Sequence, residues 1–423
     1  MKEDFLYYVW QYKLFSKTAL KTSKQDSLVI KDVGKRNVNS GPDFLNAQLF
    51  LDNQHWAGNV EMHIKSSDWY LHKHETDVNY DAVILHVVWE HDTDVFMKNN
   101  KPLPTLELKD IVDKKVFKAY QEISKNYKNW IPCENQISEL DDFLILNWLE
   151  RLYFERLESK SEFITELLKK NNFDFEAVLF LLLAKNFGLK INGDAFLQLA
   201  NSIDFSIIRK VRFDKKQLNA LLFGQAGFLI ESIEEPYYNE LQKEYEYLFY
   251  KYKLKPISKH IFQFFRMRPH NFPTIRIAQL SALYYKHQNL FSSIMEINKK
   301  EDFYDLFKIK INDFWKNHFT FDKASKSSSK NISKAFVDLV LINTIIPLKF
   351  VYLKYKGENF NEEILKLIQQ VSSEKNSIIT KFKDLKLEAN NAMESQALLE
   401  LKNNYCTKKR CLQCAIGNYL VRK

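Results

Sequence analysis

Cysteine is scarce, at four residues in 423, and arginine supplies only 10 of the 62 basic side chains. So few cysteines exclude a disulfide-stapled secreted scaffold, which pairs them far more densely. The chain also lacks the charged start and long apolar run of a secretory signal, because Met1–Glu3 leads straight into an aromatic amphipathic stretch. No segment reaches the ~20 uninterrupted apolar residues of a membrane span. The longest apolar runs, such as Ala177–Ala184 and Phe336–Ile342, suit buried helices. A cytoplasmic protein with no membrane partner is expected. There is no His-Glu-x-x-His element. Gly224-Gln225-Ala226-Gly227 lacks the Lys-Ser/Thr of a nucleotide P-loop. No repeat recurs at a fixed period.

Core-forming residues are plentiful. Hydrophobic side chains make up 45% of the chain and aromatics 14%, which supports two or three packed domains and excludes global disorder. The net charge is +9, but residues 1–110 hold 13 Lys/Arg against 16 Asp/Glu, so the basic excess lies behind them. That excess suits a phosphate-rich partner. Lysine dominance with abundant Asn, Ile and Phe is equally the composition of chains from AT-rich genomes, so charge alone leaves nucleic-acid binding open.

Glu3–Ser16 reads as an aromatic first helix, with Phe5, Tyr8, Val9 and Tyr12 at helical spacing. From Leu28 to Val88 short apolar runs alternate with Gly34, Asn37–Pro42, Asp52–Gln54 and Ser66–Asp68, which is the grammar of strands and turns. Val83–Trp89 is almost continuously apolar, as a strand buried on both faces would be. After Asp110 the pattern turns helical, with Leu144–Glu158, Phe175–Lys185, Gln217–Leu222, Tyr237–Lys253, Ile275–His287, Ala335–Tyr355 and Glu362–Gln370 the clearest segments. Phe321–Lys330 reads as an exposed loop. The expected architecture is α+β: a small mixed-sheet domain over 1–110, a linker over 111–140, and a helical region over 141–423 ending in a cysteine-rich tail.

The most informative stretch is Ser40-Gly41-Pro42-Asp43-Phe44 followed by Gly58-Asn59-Val60-Glu61-Met62-His63-Ile64-Lys65. Phe44–Leu51 and Trp56–Ile64 predict two strands joined at Asp52-Asn53. Period two then puts Glu61, His63 and Lys65 on one face. A turn centred on 52–53 places Asp43 opposite Met62, within about one residue, and the carboxylates of 43 and 61 roughly 5–8 Å apart. Carboxylates that close repel unless one is protonated or a cation sits between them. A Mg²⁺- or Mn²⁺-type ion with open water positions fits such a pair. The plainer alternative is a turn-capping Asp43 and a solvated strand face.

Pro42-Asp43, 17 intervening residues and Glu61-Met62-His63 resemble the signature of the PD-(D/E)XK nuclease superfamily, with histidine in the usual lysine place. The order of elements over about 1–95 also resembles that superfamily's restriction-endonuclease-like core. The whole chain resembles the uncharacterised bacterial domain-of-unknown-function family 2851. That likeness rests on Gly41-Pro42-Asp43-Phe44, Gly58–His63, Ser67-Asp68-Trp69, Leu85–Val88 and the cysteine tail. The nuclease resemblance implies that Asp43, Glu61 and the backbone carbonyl of Met62 hold the metal, and that residue 63 positions or activates the attacking water. Histidine 63 departs from a permanent cation and could be a base or a ligand instead. Lys65 would then supply the missing charge, and a bound ion would acidify the water and steady the phosphate.

Six of the ten histidines fall between 55 and 91: His55, His63, His72, His74, His86 and His91. His72, His74 and His86 are ligand candidates for a second metal site or for a zinc site shared with His63, and His86 reads equally as a hydrogen-bonded core histidine. Cys406, Cys411 and Cys414 form Cys-x4-Cys-x2-Cys, and Cys133 could return as a fourth ligand to zinc or an iron–sulfur cluster. The RecB-like branch of the nuclease superfamily is similar in using three C-terminal cysteines and a distant one, although there the distant one precedes the nuclease motifs. Reduced thiols on a helical tail are the alternative. Arg266, Arg268 and Arg276 surround Phe272-Pro273, a helix start, and read as a phosphate grip or as a latch pairing with carboxylates between domains. Three functions follow as expectations: a metal-dependent nuclease acting on DNA ahead of RNA, a non-catalytic nucleic-acid-binding or scaffold protein, and a zinc hydrolase built on the histidines.

Overall fold

The computed structural model describes residues 1–358 and 361–423. The chain divides into two compact units, Met1–Trp148 with Leu385–Leu387 and Leu401–Lys423, and Leu149–Asp384 with Glu388–Glu400.

The first unit opens with helix α1 (Glu3–Gln11), whose Phe5, Leu6, Val9 and Trp10 are buried. A mixed sheet follows, made of β1 (Leu20–Lys21), β2 (Ser27–Asp32), β3 (Lys35–Arg36), β4 (Phe44–Leu51), β5 (Gln54–Lys65), β6 (Val83–Glu90) and β7 (Thr105–Glu107). Its order is β1-β2-β4-β5-β6-β7, with β3 beside β4. The pairs from β1 to β5 are antiparallel, whereas β5–β6 and β6–β7 are parallel. A parallel step needs a crossover, and the short helix α2 (Asp68–Leu71) lies on the one between β5 and β6. β6 is buried along Val83–Val88, as its almost continuous apolar run predicts.

The β4–β5 turn falls where the sequence puts it. Asp52 and Asn53 have φ of 45° and 66°, the paired left-handed conformation of a tight hairpin turn that Asp and Asn tolerate. Leu51↔Gln54 through Ala47↔Gly58 keep the expected register, then a bulge shifts it so that Phe44 pairs with Val60. Asn46 takes up the extra residue at φ 59° and donates its backbone N–H to Asn59 Oδ1 at 3.2 Å. Asp43 therefore stands across from Glu61 rather than Met62. The bulge keeps Phe44, Val60 and Met62 in the core under α1 and moves Asp43 onto the opposite face with Glu61.

Gly58 lies where β5 meets the start of β6. A Cβ there would stand 2.4 Å from Ile84 Cγ2 and 2.7 Å from the Ala82 carbonyl oxygen. Gly58→Ala is expected to cost ~1–3 kcal/mol through overpacking against backbone, read as a lower urea midpoint. An unchanged midpoint would show that the parallel pair gives way freely.

The first unit is larger than the expected 1–110. The stretch taken as a linker holds helix α3 (Lys114–Lys125), and the cysteine tail belongs to this unit instead of to the helical region. Val116, Tyr120 and Ile123 form an apolar stripe between lysines, and Tyr120 stacks on Phe5 at 4.2 Å. The C-terminal helix Ala415–Arg422 adds Val421 to the same core.

The second unit is helical. Phe175–Phe187 packs on Leu189–Asn201, and Lys215–Gln225 packs on Pro236–Tyr252 and Pro273–Lys286. The segment 321–330 is a loop as expected, but Phe321 and Lys330 at its ends are buried rather than exposed. Among the described residues, Lys334–Lys356 alone is long and apolar enough to cross a membrane, and 78% of its apolar window is buried inside the structure. Polar residues inside it, Asp338, Asn343 and Lys349, break the uninterrupted run sought in the sequence.

Candidate metal centre

The face of β5 opposite α1 carries Glu61 and His63, 5% and 1% exposed. Alternation along the strand sends Val60 and Met62 into the core and these two polar side chains the other way. Asp43 joins them through the bulge. Its carboxylate accepts from Arg36 Nη1 at 2.8 Å through Oδ1 and from the Met62 backbone N–H at 3.1 Å through Oδ2. In turn, the Asp43 backbone N–H donates to Glu61 Oε2 at 3.1 Å. Arg36 also lies 3.7 Å over the Tyr7 ring, which fixes its guanidinium. Arg36 was missed from sequence, although it is the only arginine before Arg151.

The other oxygen of Glu61 faces histidines. Oε1 is 3.6 Å from His63 Nε2 and 3.4 Å from His74 Nε2. His63 Nε2 is 3.0 Å from His72 Nδ1, and His63 Nδ1 is 2.8 Å from His86 Nε2. His72 and His74 reach this point because α2 ends at Leu71 and Lys73 turns the chain at φ 60°. The His74 ring stacks on Tyr80 at 3.8 Å and meets the Trp69 edge at 5.4 Å. Ligand atoms of His63, His72 and His74 all lie within 4.8 Å of one another. Two nitrogens each bound ~2.1 Å from one ion sit ~3.0–3.4 Å apart, which matches the His63–His72 separation. His74 Nε2 is buried and has no hydrogen-bond partner among the described residues.

Burial shifts the ionisable groups of this face toward their neutral forms. Burial, then the neighbouring Asp43 charge, pushes the Glu61 carboxyl up to about 9. Asp43 is also raised by burial, against the pull of Arg36. Burial, with the surrounding rings, lowers His63 to about 2, His86 to about 3 and His74 to about 4. The rings are thus neutral near pH 7, the form that binds metal.

The remaining expected site residues lie elsewhere. Lys65 is exposed at the end of β5, where its backbone N–H donates to Asp68 Oδ2; the described contacts do not bring it to the carboxylates. Met62 contributes its backbone N–H to Asp43, and its side chain fills the core. Arg276 contradicts the carboxylate latch: it is buried, its guanidinium donates to Gln279 Oε1 and Asn271 Oδ1, and it lies 3.8 Å over Phe336. All of these partners belong to the second unit, so neutral amides and an aromatic face replace the expected acids. Arg266 and Arg268 are exposed near that helix start.

The family described as "Protein of unknown function (DUF2851)" matches residues 3–377. No curated protein and no solved structure matches the chain.

Proposed function

For this chain, which belongs to the family of unknown function DUF2851, we propose a metal-dependent hydrolase of phosphodiesters, with a nuclease-like first unit. One observation carries the metal: Glu61 Oε1 shares a buried spot with Nε2 of His63 and His74, beside His72. Three imidazoles and one carboxylate make a mixed nitrogen and oxygen set, which suits zinc or manganese better than magnesium. His63 Nε2, His72 and His74 would hold the ion with Glu61. His63 would donate its Nδ1–H to His86 and so be fixed in the correct tautomer. Such an ion lowers the pKa of a bound water toward neutrality and polarises a phosphoryl oxygen. Asp43, anchored by Arg36, would keep Glu61 oriented.

The phosphodiester class draws support from the topology. A helix, antiparallel strands β2, β4 and β5, and a crossover to parallel β6 carry Asp43 at the head of β4 and Glu61-Met62-His63 on β5. That is the placement the nuclease resemblance implies. DNA is the first substrate to try, then RNA.

Full-length protein with Mn²⁺ or Zn²⁺ should cleave labelled DNA or the minimal diester bis(p-nitrophenyl) phosphate, and His72→Ala combined with His74→Ala should lower turnover at least ~100-fold. Stoichiometric metal without turnover on either nucleic acid would overturn the hydrolase and leave a metal-bearing binding protein. Turnover untouched by the double change would place the chemistry elsewhere.

A further inference from the structure

All four cysteines of the chain converge within the first unit. Cys133 follows α3, while Cys406, Cys411 and Cys414 lie on the C-terminal segment, yet all four line one small apolar pocket with Ile131, Tyr405 and Ile416 among its walls. None is in a disulfide. Their mutual reach is electrostatic as well: after burial, the Cys406 thiol is pushed up by Cys133, Cys414 and Cys411, and Cys133 by Cys414 and Cys411.

Local backbone is shaped to hold them. Cys411–Gln413 is one tight helical turn, and Cys414 N–H donates to the Cys411 carbonyl at 3.2 Å. Cys414 then heads helix Ala415–Arg422. At Gly417 any Cβ would fall 2.1 Å from the Cys411 carbonyl oxygen, so only glycine lets this helix lie against the turn. The two-residue spacing of Cys411 and Cys414 on such a turn is that of a metal knuckle. Lys402 Nζ donates to the Trp130 carbonyl at 2.8 Å, which holds the start of the segment beside the Cys133 loop.

We propose that Cys133, Cys406, Cys411 and Cys414 form a thiolate-held metal centre that fastens the C-terminal segment to the first unit. It stands apart from the histidine site and does not depend on the proposed hydrolysis. The pocket that the cysteines line has room for about one water-sized body, which suits a single soft divalent ion of the zinc class better than a larger cluster. Binding replaces the S–H protons of the cysteines and involves no change of oxidation state.

The test uses the full chain, purified under reducing, anaerobic conditions without chelator. Elemental analysis should find one zinc per chain that survives His72→Ala with His74→Ala and disappears in Cys411→Ser with Cys414→Ser. Since the cysteine variant could fail to fold, wild-type protein is also titrated with a mercurial thiol reagent in the presence of a chromogenic zinc chelator. Release of one zinc in step with four thiols supports the centre. Iron with an absorption band near ~400 nm, lost in the cysteine variant, would keep the thiolate centre and overturn the single-ion assignment. Four thiols that titrate freely with no metal release would overturn the proposal.

Discussion

Glu61→Gln is expected to strip the histidine site of its metal while leaving the fold in place. The two halves of that statement have separate causes. Without an ion, Glu61 is protonated at pH 7, because burial beside Asp43 raises its carboxyl to about 9. Glutamine matches a protonated carboxyl in shape and charge, and its oxygen can still accept the Asp43 backbone N–H that Glu61 Oε2 accepts at 3.1 Å. The metal-free variant should therefore melt within a few degrees of wild type. With an ion, the anion is the only formal negative charge among the four proposed ligands. Losing it should weaken zinc or manganese binding by more than the ~10–100-fold that an outer-shell loss costs, and turnover should fall with it. Asp43→Asn should behave in the opposite way, because it breaks the 2.8 Å ion pair with Arg36 and so lowers stability first. Isothermal titration with the metal and a thermal melt in chelator separate the two. Wild-type metal affinity in Glu61→Gln would remove Glu61 from the ligand set. A large drop in its melting temperature would mean that the ionised carboxylate is a structural anchor instead.

What the sequence disclosed of this site was its period, and what it withheld was its local irregularity. Alternation along Gly58–Lys65 is enough to put Glu61 and His63 on one face. The position of Asp43 depends on a single extra residue at Asn46, and no pattern of apolar spacing marks a bulge. The same counting extended the face to Lys65, where the strand has already emerged into solvent. His72 and His74 were legible as ligand types, either for a second site or for one shared with His63, and which arrangement the chain adopts turns on one left-handed residue, Lys73. The proposed move from an oxygen-ligand Mg²⁺- or Mn²⁺-type site to a mixed one follows from that turn. Elsewhere, Arg276, read as a phosphate grip or a carboxylate latch, is held by the amides of Gln279 and Asn271. For the cysteines, spacing grouped three and left Cys133 as a candidate fourth, and the fold places all four on one pocket.

Without metal, the contribution of Glu61 and the three buried rings to stability should peak near pH 6.5 and fall more steeply on the acid side. His63, His86 and His74 have folded values of about 2, 3 and 4, below their unfolded value near 6.5. Their contribution is fully present above ~6.5 and is lost as pH falls, because the unfolded chain takes up protons that the folded rings refuse. Glu61 works in the other direction. Its folded value of about 9 exceeds the unfolded ~4.5, so its contribution is present below ~4.5 and is lost as pH rises through 9. Between ~4.5 and 6.5 the three rings outweigh Glu61 by about two protons, or roughly 2.7 kcal/mol per pH unit before the opposing contribution of Asp43, whose carboxyl is also raised. From 6.5 to 9 Glu61 alone gives a decline of ~1.4 kcal/mol per unit. Other groups add a background, which Glu61→Gln subtracts: urea unfolding in chelator across pH 5–9 should show the alkaline decline in wild type and not in the variant. Saturating metal should abolish that decline, since the ion holds Glu61 ionised and releases its proton on binding. Equal alkaline slopes in the two chelator-treated proteins would show that Glu61 ionises freely in the fold, and the case for a cation at its side would lose its electrostatic footing.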